Sequence, residues 1–184
     1  TYPDVEVELA ASPELLDLAA GGFDAGIRLG QFVAMDMVAV RLTPSFPLAI
    51  VGSPEYLRRK GRPERIDDLR QHACIRIRRS NGAIAPWSFV DDNKPIEPTV
   101  SGSLIVHDFS AMLGAAIEGA GLAQVPEPIT AGPVQAGKLV RVLEPFEPMA
   151  PGMFLYYPGR HQVTPKLRAF IDHLKRYSEP TNKS

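Results

Sequence analysis

The chain of 184 residues has a single cysteine, Cys74. This excludes an intrachain disulfide and any site built from several thiolates. What remains is a buried structural thiol in a reducing compartment, so the expected location is cytoplasmic. A basic surplus is missing too, since 20 Lys+Arg stand against 21 Asp+Glu. Domains that live on phosphate backbones carry such a surplus, so this segment is not expected to hold nucleic acid by itself. No apolar run approaches the roughly 18 residues of a membrane span. The opening Thr1-Tyr2-Pro3-Asp4 has no basic-then-apolar order, so no signal peptide is expected. Internal repeats and low-complexity tracts are absent.

The apolar share, 45% against 22% charged, is ordinary for a globular protein and sufficient for a core. At about 150 residues per domain, the length suits one large domain or two small lobes. Val5 to Leu9 alternates as a half-buried strand. Ser12-Pro13-Glu14 starts a helix that Gly21-Gly22 ends. Phe23 to Gly30 reads as the next strand, and two strands joined by a helix imply a parallel crossover. Met37 to Leu42 and Pro47 to Val51 are further strands. Ser53-Pro54-Glu55 opens a helix that closes on Arg58-Arg59-Lys60-Gly61, and Pro63 to Leu69 gives a short helical turn.

Cys74 to Arg78 alternates as a strand. Trp87 to Val90 and Thr99 to Val106 flank a polar turn at Asp91-Asp92-Asn93-Lys94. Asp108 or Ser110 caps a helix from about Ala111 to Gly119. Gly121 to Pro126 is a buried strand. A weak helix follows Ile129, Lys138 to Leu143 and Phe154 to Tyr157 are strands, and Thr164-Pro165 starts the final helix. Alternating strands and helices predict an α/β fold with mainly parallel sheets. The middle of the chain has a full set of elements and the first 50 residues do not. We therefore expect two lobes, residues 1–51 with 151–184 as lobe I and 52–150 as lobe II. Lobe I looks short of elements that would precede Thr1.

Catalytic motifs come up short, and no enzyme activity, cofactor or metal is expected. Gly119-Ala120-Gly121 has Gln124 where a dinucleotide loop needs its third glycine, and a strand follows, so it reads as a helix end. Gly137-Lys138 runs into Leu139 and makes no phosphate loop. Gly102-Ser103 lacks the nucleophile-elbow pattern. His72 and Cys74 share a strand face, but two ligands make a poor metal site. His107-Asp108 reads as a base with its orienter or, more simply, as a strand end and a helix cap. Arg58 to Arg62 reads as a solvated helix end.

The order of segments resembles the effector-binding domain of LysR-type transcriptional regulators. The resemblance is carried by Tyr2-Pro3-Asp4-Val5-Glu6-Val7-Glu8-Leu9 and by Phe23-Asp24-Ala25-Gly26-Ile27-Arg28. Leu48 to Leu57, Asp68-Leu69-Arg70-Gln71-His72-Ala73-Cys74 and Trp87-Ser88-Phe89 continue it. Gly119 to Ala123, Gly137 to Val140 and Lys166 to Asp172 complete it in order. It implies a two-lobed, type 2 periplasmic-binding-protein-like fold with an inter-lobe cleft, a small-molecule effector, and a homodimer or homotetramer. DNA would be met only through an N-terminal helix-turn-helix domain absent from this chain, and no membrane is involved. Ligands in open α/β sheets sit beyond the carboxyl ends of strands. The candidate effector contacts are therefore Arg28, Gly30, Ser53, Arg78, Ser80, His107, Asp108, Phe109, Val125 and Pro126. Arg28, Arg78 and His107 favour an organic anion. A periplasmic solute-binding protein of a transport system is the alternative on the same scaffold.

Overall fold

The computed structural model describes residues 5–10, 18, 21–30, 37–159 and 163–178, with the side chains of 177 and 178 left out. The chain divides into two units, Thr1–Ser45 with Pro151–Ser184, and Phe46–Ala150. The described strands are β1 (Gly26–Leu29), β2 (Met37–Arg41), β3 (Phe46–Gly52), β4 (Arg76–Ile77), β5 (Phe89–Asp91) and β6 (Lys94–Ile96). They continue with β7 (Ile105–Val106), β8 (Ala123–Pro126), β9 (Val140–Val142), β10 (Met149–Ala150) and β11 (Met153–Pro158). The helices are α1 (Pro54–Lys60), α2 (Phe109–Ile117), α3 (Glu127–Gln135) and α4 (Pro165–Ser178). Two 3₁₀ turns lie at Ile66–Gln71 and Glu144–Phe146.

In the first unit, β11 pairs antiparallel with both β1 and β2. The i, i+4 spacing of Leu167 and Ile171 on α4 gives a stripe that packs with Leu155 of β11, flanked by Val40, Leu42, Phe170 and Leu174. Thr164 caps α4, its Oγ1 accepting from the Leu167 amide at 3.2 Å. The expected parallel crossover is corrected here, because the strand beside β1 is the antiparallel β11. The helix from Ser12 lies outside the described residues save for Leu18. Val5–Leu9 forms no strand, and Val7 and Leu9 are 49% and 82% exposed. Alternation makes a strand only where a neighbour completes the ladder, and the described residues supply none.

The second unit is built around β3, whose apolar run is buried on both faces. Ile50 packs with Tyr56, Leu69, Cys74, Trp87, Phe89 and Leu122. Ala49 and Val51 face Ile75, Met112, Ala116 and Val125, under α2 and α3. One edge of β3 pairs with β8, and the other with β9 and β10. Beyond β8, the Ile75 amide donates to the Leu122 carbonyl and the Leu122 amide to that of Ala73, each at 2.8 Å. Next come β4 and then β7, in parallel.

The expectation of a mainly parallel sheet needs correction, because β3 runs against β8, β9 and β10. After β3 the chain passes through α1 and the first 3₁₀ turn and re-enters the sheet at Ala73 near the end where β3 left it, since Cys74 bridges Leu122 and the neighbouring Ala123 pairs with Val51. The longer α2 and α3 do return the chain along the sheet, and the strands on either side of each run the same way. The polar turn is a hairpin, with Asp92 and Asn93 at φ 47 and 59. Such a tight turn forces its immediate neighbours to pair, so β5 partners β6 and not the Thr99–Val106 run. The seam between β9 and β10 is filled by the buried Glu147 carboxylate, which is ion-paired with Arg141 and accepts from the Ile50 amide at 3.4 Å.

Candidate functional site

Alternation along β4 puts Cys74, Arg76 and Arg78 on one face and Ile75 and Ile77 on the other. The isoleucines join the core under α2 and α3, so the arginines look the other way. The parallel register, Arg76 with Ile105 and Ile77 with Val106, brings His107 beside Arg78 at the next step. The Arg78 amide donates to the Val106 carbonyl at 2.8 Å and fixes that step. β8 runs the same way, so Gln124 and Pro126 continue the row. All three strands deliver their carboxyl ends to one end of the sheet. Phe46 and Ala150, where the chain enters and leaves this unit, pair at that same end.

The electrostatics of this face come from side chains. Arg76 Nη2 reaches back toward the start of β4 and donates to the Gly102 carbonyl at 2.7 Å, while its buried Nε has no hydrogen-bond partner. Arg78 Nη1 donates to the Gly82 carbonyl at 2.8 Å and braces the turn that carries the exposed Ser80. His107 is exposed. Asp108 caps α2, its Oδ1 accepting from the Ala111 amide at 2.7 Å. This supports the simpler reading of His107-Asp108, since the carboxylate is spent on the helix. Phe109, 36% exposed, follows it.

Pro126 is buried at the end of that row, and the other candidates sit elsewhere. Val125 is fully buried in the core under α2 and α3. Ser53 lies at the opposite end of the sheet because β3 is reversed. It is 4% exposed, and its Oγ accepts from the Tyr56 amide at 3.2 Å as the cap of α1. Arg28 and Gly30 belong to the first unit. Arg28 pairs with Phe154 in the β1–β11 ladder, and a Cβ on Gly30 would meet the Phe154 ring at 2.6 Å. Arg41 stacks its guanidinium 4.6 Å from the centroid of the same ring.

Sequence reasoning missed two residues. Arg76 shares the face of Arg78, a signal already present in the Cys74–Arg78 alternation. Gln124 uses both ends of its amide on Ser88, accepting from its N–H at 3.0 Å and donating to its carbonyl at 2.6 Å. It thereby holds the segment before β5 against β8, and no local pattern announces that. The Cys74 thiol is 1% exposed, and burial pushes it up to about 12, so it is inert. Among the described residues no three metal-ligating side chains gather, and no helix is long and apolar enough to cross a membrane.

A family model described as the LysR substrate binding domain matches residues 1–179. The chain is 37% identical over 174 residues to the uncharacterized HTH-type transcriptional regulator YcaN of Escherichia coli, covering 95% of this chain and 57% of that protein. It is 34% identical over 176 residues to the HTH-type transcriptional regulator PgrR of the same organism, covering 95% and 59%. Among solved structures, it matches the regulatory domain of CrgA, a LysR-type transcriptional regulator from Neisseria meningitidis. The TM-score is 0.82 at 22% identity, over 96% of this chain and 86% of that one. This likeness shows the α/β, type 2 periplasmic-binding-protein-like fold. The chain spans less than two thirds of the two relatives, which are regulators and not transport receptors.

Proposed function

The chain belongs to the LysR substrate binding domain family, and we propose that it senses a small organic anion on behalf of a transcriptional regulator. The observation that carries the anion is the row of Arg76, Arg78 and His107 on one sheet face, with the Arg76 Nε buried and unpartnered. A buried guanidinium N–H without an acceptor is costly, and a carboxylate oxygen is the acceptor that relieves it best. Ser80, Asp108 and Phe109 follow closely in sequence, and Ser80 and Phe109 would offer the ligand a polar and an aromatic contact.

An effector shifts a conformational equilibrium only by its differential affinity, and a full off-to-on change needs about 5.5 kcal/mol of it. The longer regulator would work as a homodimer or homotetramer in the cytoplasm. It would meet DNA through a helix-turn-helix part outside this chain. The domain itself would perform no catalysis.

Calorimetry with a panel of small organic carboxylates, each beside its neutral amide, tests the reading. A carboxylate is expected to bind at least tenfold more tightly than its amide. Arg78→Ala should weaken it by about 10- to 150-fold, the worth of one charge-assisted hydrogen bond. Amides that bind as well as the acids, or an Arg78→Ala variant of unchanged affinity, would overturn it.

A further inference from the structure

We propose that the buried Tyr56–His72 pair is an acid-sensitive latch that ties α1 to the segment leading into β4 and is undone when the imidazole gains a proton. Tyr56 is 1% exposed and His72 6%. The Ala73 amide can only donate, and it donates to Tyr56 Oη at 2.9 Å. His72 Nδ1 lies 3.1 Å from Oη, and because a buried phenol hydrogen without an acceptor is costly, we assign that hydrogen to Nδ1. Nδ1 is therefore a bare acceptor, and the ring carries its one hydrogen on Nε2.

A second proton must land on Nδ1. Tyr56 Oη would then face two donors while its own buried hydrogen lost its acceptor. The surroundings do not compensate. Asp68, on the 3₁₀ turn, favours the cation, but its Oδ2 already accepts from the Glu64 and Arg65 amides at 2.9 Å each. Lys60, at the end of α1, opposes it. Arg59 of α1 lies 5.8 Å from the centroid of the Tyr56 ring, and the neutral thiol of Cys74 follows on the strand side. Burial accordingly holds His72 below the ordinary imidazole range.

The sign follows from linkage. The unfolded chain takes up the proton near pH 6.5 and the folded one resists it, so stability is complete above that value and falls below it. The test is urea unfolding of the protein from pH 8 to pH 5, beside His72→Asn, whose amide oxygen accepts from Tyr56 without titrating. Below about pH 6.5 the unaltered protein's folding constant should fall by up to tenfold per pH unit more than the variant's. The other histidines are common to both and cancel. Equal slopes would overturn the latch. Imidazole ¹⁵N shifts of the unaltered protein decide the matter even if the variant does not fold. An Nε2–H tautomer titrating below the ordinary range supports the latch, and an Nδ1–H tautomer or an ordinary titration overturns it.

Discussion

Gly121→Ala probes how the second unit's sheet is joined. Gly121 follows α2 where the chain returns to the sheet, and a Cβ there would stand 2.3 Å from the Ala73 carbonyl oxygen. That is roughly 1 Å inside ordinary contact, and backbone cannot swing away as a side chain would. The same carbonyl accepts from the Leu122 amide at 2.8 Å, so any retreat breaks a ladder bond. Overpacking at about 1–3 kcal/mol and a lost hydrogen bond at about 0.5–1.5 kcal/mol together predict about 1.5–4.5 kcal/mol of destabilisation.

Trp87 is the chain's one tryptophan, 3% exposed and packed in the cluster that holds Cys74 and Leu122. Its fluorescence therefore reports this unit's unfolding in urea. With a slope near 2 kcal/mol per molar urea, the midpoint should fall by about 1–2 M. Gly114→Ala is the matched control. That glycine sits inside α2 with nothing within 4 Å of its added Cβ. Its replacement should stabilise by about 0.5–1 kcal/mol through helix propensity and unfolded-chain entropy. An unchanged midpoint for Gly121→Ala would refute the close-approach argument.

Two further outcomes are expected. Glu147→Ala should cost about 2–3 kcal/mol in the same unfolding experiment, below the 3–5 of a fully buried pair because Arg141 keeps 28% of its side chain in solvent. Cys74 should resist a thiol reagent at neutral pH in the folded protein and react only as the chain unfolds, since its thiol is pushed up to about 12.

What was legible in the sequence is what local chemistry decides. Ser53-Pro54 and Asp108 cap helices where the cap pattern put them, and Gly61 follows α1 as its stop. The Asp92-Asn93 turn was readable, but its partner strand was not, because pairing across a tight turn overrides the apolar count further on. Strand direction was the larger miss. Whether a helical connection returns the chain along a sheet depends on where it docks. α1 looks like any other capped stretch, and nothing in its own residues announces that the chain comes back to the sheet at the end where β3 stopped.

That miss decides which residues can act together. The strand-end rule selects Ser53 and Arg78 alike, yet the reversal of β3 sends them to opposite ends of one sheet. At the end that keeps Arg78 and His107, the start of α2 is a poorer place for an anion, because the Asp108 carboxylate already takes the Ala111 amide and sets its own negative charge there. Recognition of negative charge there falls to guanidinium side chains. They discriminate by geometry as well as by charge, since a planar donor fork matches a planar carboxylate and an amide leaves part of that fork unanswered. Selectivity at this site should therefore follow the shape of the anionic group more closely than the total charge of the effector.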